Sequence, residues 1–314
     1  MDRSAFFEAA DAAAGRQERD AGRSVQYVTP SAQSKLVTNP DDLVARALAI
    51  LAADTMTSNE TQSRQRANIA GELGTRSVDL TLQRRVLSDG TVCPLPIRYF
   101  DVQTLVATFP TELHRAAELL KGTGLQAVPQ EDGKAVVVLY FIEYRQTDIG
   151  PYNEVGLTIL AVAPGDPIPA VYVVNLPVTT VAANRAGREI WGYNKFVAAI
   201  DVNNDGKKFS TVLRDTGNEV ICALEGWRGA SVPAPPTDIL TFTLLKGKVI
   251  KTLIQVLTPF HASSGDSLVL KVGTSRHPMT HNLRTLALDG ARPVLVHYAD
   301  PFQALLFPGV VSVA

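Results

Sequence analysis

One lysine in this sequence stands where an amine can become a nucleophile. Lys195 nearly closes the stretch Gly187-Arg188-Glu189-Ile190-Trp191-Gly192-Tyr193-Asn194-Lys195-Phe196, so Trp191, Tyr193 and Phe196 crowd around it. A free lysine titrates at about 10.4. Burial among apolar groups disfavours the cation and lowers that value, and the neutral amine then condenses with a ketone or aldehyde to an imine. The apolar runs Val155–Val162 and Ala170–Val178 are candidates for the walls of such a cavity. Tyr152-Asn153-Glu154 leads into the first of them, and a lone buried glutamate titrates upward and serves as an acid. Trp191, Tyr193, Phe196 and Tyr152 are therefore the candidate substrate contacts around Lys195 and Glu154.

The elements that position these residues are mostly strands. Strand character begins near Val92, in Ile97–Phe109, and continues in Ala135–Arg145, Val155–Val162 and Ala170–Val178, each bounded by Gly, Pro or Asp. Thr111–Lys121 has the spacing of a short amphipathic helix. Thr179–Gly187 reads as a helix capped by Thr179 or Thr180 and ended by Gly187. Asn203-Asn204-Asp205-Gly206 is a hairpin turn. Further strands fit Phe209–Arg214, Val220–Leu224, Leu240–Leu245, Val249–Thr258, Ser267–Val272 and Arg292–His297, with a short helix over Thr280–Ala287. Many closely spaced strands with few long helices predict a mainly β (α+β) fold, a curved antiparallel sheet that closes on itself. Residues 1–90 differ: they are rich in Ala, Arg, Asp, Gln, Ser and Thr and poor in large apolar residues. Leu43, Val44, Ala47, Leu48 and Leu51 share one helical face behind Asn39-Pro40-Asp41-Asp42, and a second, mostly polar helix fits Thr61–Leu73. The expected organisation is a helical or partly disordered extension over 1–90 and a β domain over 91–314.

Gly187-Arg188-Glu189-Ile190 followed by Gly192-Tyr193-Asn194-Lys195 resembles the signature of the acetoacetate decarboxylase family. There a Gly-Arg-Glu-aliphatic stretch precedes a Tyr-Pro-Lys, and the lysine forms the imine with the substrate ketone. Tyr152-Asn153-Glu154 takes the place of the family's Tyr-X-Glu, which supplies a catalytic carboxylate. The family also carries an arginine ahead of a Tyr-Phe pair, and this arginine binds the substrate carboxylate. Arg98-Tyr99-Phe100 fits that role if one residue is deleted; aligned without a gap, Ile97 falls there instead. The likeness covers about Pro94 to Leu306. It implies a cone-like β-barrel with a few peripheral helices, a homo-oligomer, and no metal or other cofactor. The implied activity is that of a Schiff-base lyase decarboxylating acetoacetate or a related β-keto acid, with the protonated imine on Lys195 as electron sink. Phe196 stands where the family usually has a second lysine, so activation of Lys195 rests on desolvation, and Asn194 replaces the proline. Superfamily relatives use the same lysine for aldol condensation and dehydration on keto acids such as pyruvate, which is the alternative reaction. A non-enzymatic protein holding an apolar ligand is the third reading.

Other chemistries find no support. His277 and His281 are spaced i, i+4, but Pro278 occupies the place of the glutamate in a zinc-binding HExxH motif. No GxSxG or P-loop occurs, and Gly71-Glu72-Leu73-Gly74 is too short for a dinucleotide loop. The 314 residues are 46% hydrophobic and 19% charged with a net charge of −1, so no charge excess draws the chain to nucleic acid or an anionic membrane. Cys93 and Cys222 are isolated, which suits a reducing cytosol. With no signal-peptide pattern at the start and no long apolar run, a soluble cytoplasmic protein is expected.

Overall fold

A computed structural model describes residues 83–312, and the helices predicted within 1–82 lie outside them. In chain order the elements begin with β1 (Gln83–Val86), β2 (Val92–Leu95), β3 (Ile97–Glu112), α1 (Leu113–Leu120), β4 (Gln126–Ala127), β5 (Lys134–Thr147) and β6 (Tyr152–Ala163). Then come β7 (Asp166–Val178), α2 (Val181–Ala186), a π-helical turn (Gly187–Trp191), β8 (Lys195–Val197), β9 (Ala199–Asn204), β10 (Lys208–Arg214) and β11 (Val220–Trp227). The remainder is β12 (Ser231–Ala234), β13 (Ile239–Leu245), β14 (Lys248–Val256), β15 (Phe260–Ser263), β16 (Leu268–Val272), α3 (Pro278–Thr285), β17 (Leu295–Leu306) and β18 (Val310–Val311).

The strand order β17-β3-β5-β6-β7-β13-β14 returns to β17 through Ile254↔Leu306 and Val256↔Ala304, which closes a seven-stranded barrel. Closure removes the unpaired edges that an open sheet of this length would expose. The barrel is mixed rather than purely antiparallel. β13 meets β7 in parallel through Thr241↔Val171 and Phe242↔Tyr172, and β8 adds to β7 in parallel through Leu176↔Lys195. Parallel neighbours need a crossover. The chain between β7 and β13 supplies it as α2, the π turn, β8, the antiparallel strands β9, β10 and β11, and β12. β16 completes the sheet β16-β11-β10-β9.

Alternation along the long strands builds two apolar layers. On β5, Ala135, Val137, Leu139 and Phe141 are buried on the outer face, where Phe141 meets Phe209 of the four-stranded sheet, ring centroids 6.0 Å apart. Ile142 and Tyr144 point the other way, into the barrel, together with Tyr99, Tyr152, Leu176 and Val178. A strand covered on both sides carries apolar residues at nearly every position, which is why β5 and β6 read as continuous runs.

Three expectations from sequence are corrected. Gln83–Val86, placed in the extension, pairs with Val92–Leu95 as a hairpin. The last long strand starts at Leu295 rather than Arg292 and runs to Leu306, with register shifts between Ala299 and Ala304. The helix after β7 does not stop at Gly187; it widens into the π turn and ends at Gly192, which takes the left-handed position at φ 71°.

Gly156 faces Tyr140 across β5 and β6, and a Cβ there would lie 1.9 Å from the Tyr140 ring. Gly156→Ala is expected to lower stability by about 1–3 kcal/mol, since overpacking of this kind forces neighbours off their rotamers. Urea unfolding checks it: the midpoint falls while the slope holds.

Candidate active site

The barrel interior holds an amine and a carboxylate in direct contact. Lys195 starts β8 beside Leu176, and Glu154 sits on β6 opposite Ile142 and Val178. Lys195 Nζ donates to Glu154 Oε2 at 2.6 Å, and both side chains are 6% exposed. Tyr144 Oη donates to the other oxygen, Glu154 Oε1, at 3.2 Å. The ammonium lies 5.6 Å from the ring centroid of Tyr152 and 5.9 Å from that of Tyr193, within range of cation–π attraction. Tyr144 stacks on Tyr152 at 4.3 Å and tilts against Tyr99 at 4.9 Å.

Five phenols thus wall the pair: Tyr99, Tyr140, Tyr144, Tyr152 and Tyr193. Burial raises the pKa of each, and the negative charge of Glu154 adds to the shift. At neutral pH they are uncharged hydrogen-bonding groups. Tyr193 Oη and Thr241 Oγ1 are hydrogen-bonded at 3.0 Å.

The signature stretch acts as a holder for Lys195. A Cβ on Gly187 would lie 2.4 Å from Lys195 Cε, so the lysine stem passes directly over the glycine and would have to move for any larger residue. Gly187 O accepts from Tyr193 N, and Arg188 Nη1 donates to Lys195 O at 2.9 Å. Glu189 accepts from Ser88 N and Oγ, tying the π turn to the β1–β2 hairpin. Gly192 packs against β13, where a Cβ would lie 2.5 Å from Leu244 O. Asn194 Nδ2 donates to Val174 O at 2.8 Å, so a side-chain bond to β7 fixes the backbone at this position. π turns concentrate at functional sites because the extra residue re-aims the side chains beyond it.

Of the residues singled out from sequence, Lys195, Glu154, Tyr152 and Tyr193 come together. Trp191 lies behind them, 6.0 Å from Tyr193, with Nε1 donating to Phe307 O, and so supports the wall. Phe196 alternates to the opposite side of β8 from Lys195 and stacks on His277 at 4.0 Å. Arg98 is held by Asp148, with Nε and Nη2 each donating at 2.8 Å. The neighbours of Arg98, Ile97 and Tyr99, are the ones that enter the apolar cluster around the site. His277 accepts from Met279 N through Nδ1 and caps α3. Sequence reasoning missed Tyr140 and Tyr144, named Tyr99 only as the neighbour of Arg98, and read Gly187 as a helix end within the signature rather than as the seat of the lysine stem. The period of two along β5 puts Tyr140, Ile142 and Tyr144 on one face, a signal for the tyrosines that the continuous apolar run hides.

A cleft of about 330 Å³ opens where β7 and β13 part, lined by Tyr172, Val173, Arg188, Tyr193, Asn194 and Leu244 among others. Tyr193 is common to the cleft and the cluster around Lys195. None of the described helices is long and apolar enough to cross a membrane.

The fold is thus a closed mixed barrel around a buried lysine–glutamate pair. The family model for acetoacetate decarboxylase (ADC) matches residues 88–248, just over half of the chain, and the chain belongs to that family. No curated protein matches the sequence. Among solved structures, acetoacetate decarboxylase from Legionella pneumophila subsp. pneumophila str. Philadelphia 1 is 16% identical with a TM-score of 0.56, over 75% of this chain and 93% of that one. The enduracididine biosynthesis enzyme MppR complexed with pyruvate is 13% identical with a TM-score of 0.53, over 71% and 93%. An acetoacetate decarboxylase-like enzyme from Sphingomonas wittichii RW1 is 12% identical with a TM-score of 0.50, over 69% and 92%. These likenesses are of fold.

Removing one member of a buried ion pair leaves the other charge without a partner. Lys195→Met and Glu154→Leu are each expected to lower stability by about 3 kcal/mol, and the double variant to recover most of the loss. Chemical denaturation of the three proteins measures it; additive losses would mean the two groups are not coupled. Gly187→Ala is expected to leave unfolding cooperative but displace the lysine stem.

Proposed function

We propose that this protein is a Schiff-base lyase that takes a small β-keto acid through an imine on Lys195 and releases carbon dioxide. The observation that carries the reading is the amine itself, buried in a phenol-walled interior and 2.6 Å from a carboxylate. Family membership supports the same assignment.

Each residue has a defined task in this scheme. Lys195 attacks the ketone carbon as the neutral amine. Glu154, in contact with Nζ, takes the ammonium proton and returns it as the carbinolamine loses water. The protonated imine that results keeps the positive charge beside Glu154. The bond to the carboxylate then breaks, its electron pair enters the imine to give an enamine, and carbon dioxide departs. Protonation at carbon and hydrolysis release the ketone and restore Lys195. Tyr144 holds Glu154 through its second oxygen, which keeps the first aimed at the lysine. Phe196, next in sequence to Lys195, turns away from the pair toward His277.

Borohydride reduction in the presence of acetoacetate is expected to add the reduced ketone fragment to the Lys195 peptide, read by mass mapping, and Lys195→Ala to abolish it. Glu154→Gln is expected to cut kcat by about 10²–10⁴-fold, the range for loss of a positioned proton carrier. Absence of any adduct on Lys195 sinks the scheme. An adduct without release of carbon dioxide from acetoacetate would point instead to aldol condensation and dehydration on the same lysine.

A further inference from the structure

With the imine on Lys195 as proposed above, the rest of the substrate must lie along the inner face of the barrel, and burial of that face falls off in one direction. On β5 the inward residues Ile142 and Tyr144 are buried, whereas Tyr140, Val138 and Val136 are partly exposed. On β6 Glu154, Gly156 and Thr158 are buried and Leu160 is partly exposed. On β3 Val102 and Thr104 are buried and Val106 is partly exposed. On β17 Ala299 is buried, while His297 and Leu295 are partly exposed. Antiparallel neighbours therefore agree on one accessible end. The other end, next to the β1–β2 hairpin, is filled by Leu95, Ile97 and Tyr99, none more than 5% exposed.

Cross-strand register makes these accessible residues one surface that reaches the site, because paired residues project to the same side of a sheet. Tyr140 pairs with Gly156, the next inward residue after Glu154, and on its other side with Val106. From Val106 the surface continues through His297 and Ala262 to Val232, an apolar side chain 52% exposed at the rim. Leu160 pairs with Val171, and Val171 with Thr241, whose hydroxyl is hydrogen-bonded to Tyr193 beside the amine. A single exposed aliphatic residue needs no explanation. A concave apolar surface that runs up to a reactive group is the ordinary form of a small-molecule subsite.

We infer that the accessible end of the barrel is a hydrocarbon subsite, and that the carbonyl compound taken by Lys195 carries an aliphatic chain of several carbons. The carbonyl carbon sits at the amine, and the chain runs past Tyr140 and Thr158 toward Val138, Leu160 and Val171. Tyr140, partly exposed and lying across Gly156, marks the boundary between the reacting centre and the chain. No bond forms or breaks in this subsite. Its contribution is the transfer of methylene groups from water to an apolar wall, worth roughly fourfold in affinity for each.

Borohydride trapping of the full-length protein with butan-2-one and with hexan-2-one, at equal concentrations below saturation, tests this. Labelling of the Lys195 peptide is quantified by mass mapping and divided by trapping of the same ketone on a free lysine derivative, which removes intrinsic reactivity. The normalised ratio is expected to favour hexan-2-one by about tenfold, the scale for two methylenes moved out of water. Leu160→Gln with Val106→Thr, in a variant that unfolds cooperatively, is expected to cut that ratio by at least about threefold while labelling by butan-2-one holds. Val106→Thr is nearly isosteric and serves alone where the pair does not fold. Equal labelling of the wild-type protein by the two ketones overturns the inference and leaves the imine chemistry intact. So does a ratio that the substitutions leave unchanged, because the preference then arises elsewhere. A second copy of the chain covering this end would give a ratio near one and an assembly mass, read by light scattering, that Leu160→Gln lowers; that result also overturns it. No labelling by either ketone, nor by acetoacetate, overturns the imine scheme and this inference with it.

Discussion

The contact between Lys195 Nζ and Glu154 Oε2 is the constraint to which the rest of the site answers. Two ionisable groups, each 6% exposed, have left water for an interior where their mutual attraction must offset the desolvation of both. That balance holds only with fixed geometry, and the fixing groups are visible. Tyr144 bonds the second glutamate oxygen, the rings of Tyr152 and Tyr193 flank the ammonium, and Gly187 lets the lysine stem pass. The pair also suits the proposed chemistry. An ammonium and a protonated imine carry the same charge, so Glu154 keeps a partner from free enzyme through imine. The partner charge disappears only when the electron pair of the leaving carboxylate enters the imine. At that moment Tyr144 is the group left to stabilise the carboxylate.

Delivering a lysine into the middle of a barrel is a topological problem as well as an electrostatic one. Here the inserted element is β8, three residues that pair in parallel with β7 and come directly after a π turn. Parallel pairing allows β8 to arrive from the crossover rather than from a hairpin. The π turn shifts the phase of the chain that leaves it. Gly192 at φ 71° then reverses the chain against Leu244, in a space where a Cβ has no room. Three features of the signature, two glycines and an arginine that donates to Lys195 O, therefore serve one purpose. They place an amine and leave the chemistry to it.

This division explains what was legible from sequence. Lys195 and Glu154 were recognisable because their neighbours form short, contiguous patterns, Gly-Arg-Glu followed by Tyr-X-Lys and Tyr-X-Glu. The barrel was legible in outline from the spacing of apolar runs, but not the parallel contacts of β7, since strand direction leaves no local mark. Gly187 looked like a helix end because glycine commonly is one; its actual constraint, the stem of Lys195, comes from a residue that folds back over it. Phe196 and Arg98 were misplaced by the same cause. A strand alternates, so a residue adjacent to a site residue points away from it, and the bulge between Tyr99 and Val102 makes the parity of β3 unreadable from spacing.

The phenols were illegible for a different reason, and they are the most distinctive part of the interior. They come from β3, β5, β6 and the loop before β8, so no window of sequence contains more than two of them on one strand. Their effect is collective. Five hydroxyls that burial and Glu154 keep protonated give a wall that is polar in hydrogen bonding yet adds no charge. An aliphatic wall would desolvate Lys195 as well, but it would leave Glu154 with the lysine as its single polar partner and offer nothing to a carbonyl or enol oxygen. A wall of neutral phenols supplies such hydrogen bonds without adding charge. It surrounds the buried amine and holds the glutamate in place through Tyr144.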